Sequence, residues 1–193
     1  MANNSANVTA GTPKVAGAIY TALASTAGLT LPTDTDTALA EALECVGYIS
    51  EDGLKRAKEI TSEKIKAWGG DTVMETRTAN DTNFTFKMIE YLNKVVQQVA
   101  HGTENVTGDL TAGMTIKDKP SFKGEKRVWV IDQIMTGNVK CRLVIPCAVV
   151  TALAEVTYKD NEAVGYDTTL GTIADAEGVA VYEYLKRPAT TQG

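Results

Sequence analysis

Histidine occurs once in these 193 residues, cysteine three times and proline five, and no apolar run is long enough to cross a bilayer. Each scarcity removes a class of function. A single histidine, His101, is too few for a multi-histidine metal centre, and no Gly-x-Ser-x-Gly turn accompanies it for a serine triad. Its expected place is the end of a helix, where a cation meets the dipole favourably. Cys45, Cys141 and Cys147 form no CxxC pair, and their odd number argues against a disulfide framework. Synthesis in a reducing cytosol is expected. Residues 1–14, MANNSANVTAGTPK, have neither the basic start nor the apolar centre of a secretory signal. Without export, the sequons at Asn3, Asn7, Asn80, Asn83 and Asn105 carry no glycosylation.

A basic excess is also missing. Nineteen basic side chains stand against 24 acidic ones, a net charge of -5, so sequence-wide affinity for nucleic acid is not expected. The acidity sits at the two ends. Residues 1–45 carry one lysine against four acids and residues 159–193 three bases against six acids, while the middle is nearly neutral. With 22% charged and 44% hydrophobic residues, the composition is that of a soluble globular protein.

What remains is chiefly β. Two strands over 63–68 and 71–78 flank Gly69-Gly70, and a two-residue loop predicts Trp68 opposite Asp71, Lys66 opposite Val73, Lys64 opposite Glu75 and Ile65 opposite Met74, the last marking a buried side. A second hairpin, 127–136 and 139–146, flanks Gly137-Asn138. Its two-residue loop predicts a core face of Val128, Val130, Ile134, Val139, Cys141, Leu143 and Ile145. The opposite face, Trp129, Ile131, Met135 and Val144 beside Lys140 and Arg142, holds too much apolar surface to leave in water. A helix or a neighbouring subunit must cover it.

Directly after an alternating strand at Phe84, Phe86 and Met88, one helix is expected over 89–101, with Ile89, Leu92, Val95, Val96 and Val99 inside, Gln97 outside and Gly102 closing it. Further strands are expected near 16–23, 45–50, 54–60, 114–117, 149–158, 165–173 and 179–186. The chain is expected to be one domain over 1–193, with an N-terminal arm at 1–13, a long loop at 24–44 holding a helical turn at 38–43, and a tail at 187–193. The arms and the long loop are expected to be loose in the free subunit. No repeat at solenoid or propeller spacing occurs.

A search for chemistry finds little. Asp34 and Asp36 begin like a calcium loop, but Ala38 stands at the next ligand position and the required glycine and glutamate are missing. A flexible polar loop explains them better. Asp160, Asn161 and Glu162 suit a turn. The glycines near 108 and 113 lack the Gly-Lys-Ser/Thr ending of a phosphate loop. No cofactor, metal or catalytic constellation is expected, and the chain is not expected to be an enzyme.

Several strings resemble a known family in their order and spacing. These are residues 11–15 GTPKV with 18–20 AIY, 31–34 LPTD, 47–54 GYISEDGL, 65–73 IKAWGGDTV, 129–132 WVID and 158–166 YKDNEAVGY. Together they are similar to the major tail (tail tube) protein family of long-tailed, non-contractile bacteriophages of Gram-positive bacteria. That resemblance implies a mainly β fold, a tail-tube type β-sandwich or barrel with one flanking α-helix, a long loop and extended terminal arms. It implies stacked hexameric rings forming a virion tail, made in the host bacterial cytoplasm, through whose lumen DNA passes without specific binding. A tape-measure protein and a tail terminator are the implied partners, and no membrane is involved. Some members carry a further immunoglobulin-like domain at the C-terminus, which is not expected here. Candidate contacts between subunits are Trp129, Ile131, Met135, Val144, Trp68, Leu29 and Leu31. A tube of a contractile tail or secretion system, or a carbohydrate- or cell-surface-binding β-module, are the competing readings.

Overall fold

Strands make up most of the regular structure in the computed structural model, which describes residues 3, 5–14 and 18–188. Parts of the expected terminal arms, and the start of the strand expected near 16–23, lie outside the described residues. In chain order the strands are β1 (Gly11–Pro13), β2 (Ile19–Leu23), β3 (Glu44–Cys45), β4 (Lys55–Lys66) and β5 (Thr72–Met88). Helix α1 (Lys94–His101) follows. Then come β6 (Val106–Thr107), β7 (Thr115–Ile116), β8 (Arg127–Met135), β9 (Val139–Leu153), β10 (Tyr166–Thr172) and β11 (Tyr182–Lys186).

Nine of these strands join in one antiparallel sheet ordered β3-β2-β8-β9-β10-β5-β4, with β1 added to β8 and β11 to β9. Strand β9 is the corner. Its first half pairs with β8 and β11, and its second half with β10. The expected strand end at Pro146 is therefore corrected, because β9 continues to Leu153. Proline has no N–H to give a ladder, and the register with β8 shifts at that point, where residues 146 and 147 lie between the pairs Trp129↔Ile145 and Arg127↔Ala148. The bend lets one strand serve two leaves of a sandwich.

Between the leaves lies the main core. Ile19, Trp129, Ile131, Leu143 and Ile145 come from one side and Phe84, Phe86, Met88 and Leu170 from the other. Phe86 meets the Trp129 ring edge-on, with centroids 5.8 Å apart. Helix α1 closes one end with Val95, Val96 and Val99. It is shorter than expected. Asn93 caps it by accepting from the Val95 N–H, and the preceding residues form a turn that leaves Leu92 exposed. At the other end the Gly102 N–H donates to the Gln98 carbonyl, as expected.

The β8–β9 hairpin corrects the faces assigned from sequence. Met135 pairs with Val139, so the loop holds three residues, with Gly137 and Asn138 both at positive φ. One extra loop residue slips the register by one, so β8 turns its other face to the core while β9 keeps Cys141, Leu143 and Ile145 there as expected. Trp129 and Ile131 consequently share the main core with Leu143 and Ile145 and are fully buried within the subunit. The outer face presents Val128 and Val130 instead, beside Val144 as expected, and the subunit covers it with its own chain. Leu29, Leu31, Leu39 and Ala40 of the long loop pack there beside Tyr182 and Tyr184. The helical turn expected at 38–43 is a single tight turn, closed by the Leu43 N–H on the Ala40 carbonyl.

Trp129 and Trp68 therefore differ sharply, one fully buried and the other fully exposed. Trp129→Ala is expected to cost about 3–5 kcal/mol in urea unfolding, whereas Trp68→Ala should change stability by no more than about 0.5 kcal/mol.

Candidate assembly surface

The long loop is held down by one buried side chain. Arg142, on β9, donates from Nε to Asp132 Oδ1 at 2.6 Å and from Nη2 to Asp132 Oδ2 at 2.9 Å, a two-pronged pair across the β8–β9 ladder. Its remaining Nη1 donates to the Asp34 carbonyl at 3.0 Å and the Thr37 carbonyl at 2.7 Å. Both charged residues are buried, and the Lys14 ammonium adds a second contact to Asp132 at 3.4 Å. The carboxylate so placed raises the Arg142 pKa and keeps the guanidinium charged.

The Thr-Asp-Thr-Asp-Thr stretch, expected to be a flexible loop, is instead a fixed turn. Asp34 Oδ1 accepts from the backbone N–H groups of Asp36 and Thr37 and from the Thr37 hydroxyl, and these bonds hold its pKa down. Asp36 reaches the other way, to Lys140 Nζ at 2.6 Å and Lys186 Nζ at 2.5 Å, joining the loop to β9 and β11. Those two lysines depress its pKa to about 2. At the N-terminus β1 pairs with β8, and beyond it the Thr136 N–H donates to the Thr9 hydroxyl and the Ala10 N–H to the Thr136 hydroxyl, so the described part of that arm is tied down as well.

A second feature projects from the fold. Strands β4 and β5 form one unbroken hairpin whose first strand is exposed along all 12 residues. Sequence reading had divided each strand in two. Lys64↔Glu75 and Ile65↔Met74 pair as expected. A register shift beyond Ile65 then sets Lys66 against Thr72 rather than Val73, and the Ala67 N–H donates to the Asp71 carbonyl, leaving Trp68 in the turn. Gly69 and Gly70, with φ of 117° and 101°, supply the backbone that this turn requires. The face expected to be buried is open, since Ile65 and Met74 are both more than half exposed, and so are Ile60 and Val73 elsewhere on the hairpin. At its base Arg56 bonds Glu183 of β11 at 2.9 Å and lies over the Phe84 ring. Strand β4 also ends the sheet order, with one ladder side unpaired.

The candidate contact residues thus fall into three settings. Trp129, Ile131 and Val144 are buried within the subunit. Met135, Leu29 and Leu31 are half-buried, the last two in the long loop and packed on the outer sheet face. Trp68 alone of the seven stands free in solvent. His101 closes α1 and faces the Tyr166 hydroxyl at 3.0 Å, which donates to Gln97 Oε1. Gln97, expected outside, is fully buried in this network, because Tyr166 on β10 gives its amide a partner that helical periodicity does not reveal. Burial pushes the Cys141 thiol up to about 11. Among the described residues, no group of three or more His, Cys, Asp or Glu is placed to hold a metal ion, and no helix is long and apolar enough to cross a membrane.

Two predictions follow from the clamp. Arg142→Ala leaves Asp132 buried beside a weaker partner and should cost about 3–5 kcal/mol in denaturant unfolding, with residues 24–43 becoming the first site of limited proteolysis. Asp36 has a folded pKa below its ordinary value, so its contribution is complete above pH 3.8 and is lost as the pH falls through about 2. Protease accessibility of the loop should rise across that window, and Asp36→Asn should show the raised accessibility already at neutral pH.

A family model described as "Phage tail tube protein" matches residues 1–192. No curated protein sequence matches the chain.

Proposed function

The chain belongs to the phage tail tube protein family, and from that premise we propose that it polymerises as stacked hexameric rings into the tail tube of a long-tailed, non-contractile phage, the conduit for DNA ejection. The observation that carries this is the match over 1–192, which leaves almost no part of the chain to another activity. Its structural role in a virion tail follows from the family. Hexamer formation, stacking and DNA passage are the finer reading.

The subunit's form supports that reading. A 12-residue edge strand with an open ladder and an exposed apolar hairpin are hazards for a lone β protein and assets for one that assembles. The net charge of -5 suits a lumen wall that does not hold DNA phosphates, so DNA slides without specific binding. The whole chain acts as one tube domain, a tape-measure protein sets the length, and a terminator closes the end.

Negative-stain electron microscopy of the purified protein tests the proposal. Straight or flexible hollow tubes with sixfold end views are expected. Dispersed monomers that bind glycans would instead support a carbohydrate module. Tubes enclosed by a second, contractile layer in the virion would move the assignment to a contractile tail.

A further inference from the structure

The exposed hairpin tip has a complementary recess at the opposite end of the same hairpin. A cavity of about 1080 Å³ opens beside Gly53 and Leu54, immediately before β4 begins. Its apolar lining comes from Ile19, Ile49, Leu54 and Ile131, and the side chains of Glu51, Asp52 and Glu90 make its lining acidic on one side. Tyr48, itself exposed, stands at the same opening. The tip presents the matching chemistry, with Trp68 fully exposed and Lys64 and Lys66 on the strand leading to it. Asp71 follows the tip glycines, and Lys14 lines the cavity, so the charges correspond in both senses.

A subunit's tip does not reach its own recess. The 12 residues of β4 span about 40 Å at the rise of an extended strand, and continuous pairing with β5 keeps the hairpin from folding back. Only another copy can bring a tip to this site. We infer that Trp68 of one subunit seats in the cavity at the hairpin base of the next, with Lys64 and Lys66 against Glu51 and Asp52. Tip and socket are different surfaces of one chain, so the contact is heterologous and propagates from copy to copy. A buried indole surrounded by charged pairs is the kind of anchor that dominates interface energies. This inference rests on the tube reading, and deepens it by naming both halves of one contact.

Cys45 lines the cavity and is a free thiol, which supplies the test. Trp68→Cys protein, mildly oxidised at a concentration above its raised assembly threshold, should give a ladder of disulfide-linked oligomers on a non-reducing gel, and the added substitution Cys45→Ser should abolish it. Trp68→Ala should keep the wild-type unfolding curve and raise the concentration needed for assembly by about thirtyfold or more. Assembly of Trp68→Ala at the wild-type threshold, or a ladder that survives Cys45→Ser, overturns the socket while leaving the tube reading intact. Failure of the wild-type chain to form tubes overturns both.

Discussion

Arg142 lies between two parts of the chain and bonds to both, the β8–β9 ladder and the long loop that crosses it. Two of its bonds go to Asp132 and two to loop carbonyls, so a single guanidinium neutralises a buried carboxylate and fixes a turn. A buried ion pair is costly to desolvate and is sustained only by good geometry and further hydrogen bonds, and here four of the five guanidinium N–H groups have partners. Because the turn is fixed, Leu29, Leu31 and Leu39 rest on Val128, Val130 and Val144, and the outer face of the sheet is closed without help from a neighbour. Asp36 extends the same clamp to Lys140 and Lys186 on two further strands.

A closed subunit changes what assembly has to do. Neither the core nor the outer sheet face needs a partner, so the free energy of association must come from surfaces that folding leaves open. The β4–β5 hairpin is one of these, with an unpaired edge, the exposed apolar side chains Ile60, Ile65, Val73 and Met74, and a tip tryptophan. Folding and assembly therefore draw on separate residues. That separation allows a subunit to be stable and soluble alone, yet committed to one kind of contact once a second copy meets it.

Much of this was legible in the sequence, and the failures have definite causes. Alternation at Phe84, Phe86 and Met88 and the Gly-Gly and Gly-Asn turns placed the strands, and the ordered strings resembling tail tube proteins agree with the family match. Sequence pattern did not count loop residues. At Gly137-Asn138 one additional residue reversed the faces of β8 relative to β9, so Trp129 and Ile131 looked exposed while the core face of β9, Cys141, Leu143 and Ile145, was read correctly. At Gly69-Gly70 the cross-strand pairs were right for Lys64 and Ile65, but their exposure was not, because alternation shows which residues share a face and not whether anything covers it. Asp34 and Asp36 read as loose polar residues because their partners, Lys140, Arg142 and Lys186, are over a hundred residues away. Of the seven candidate contacts, Trp68 is the one that folding leaves fully exposed.

A side-chain-resolution electron microscopy structure of the assembled tube most directly tests the central claim that the subunit's core is complete before assembly and that the projecting hairpin is what assembly uses. The expected result keeps Trp129 and Ile131 in their own core, Arg142 on Asp132 and the loop, and lays residues 55–88 against a neighbouring copy. A tube in which the loop has left Val130 and Val144, a neighbour's strand packs in its place, and the hairpin remains in solvent would contradict it.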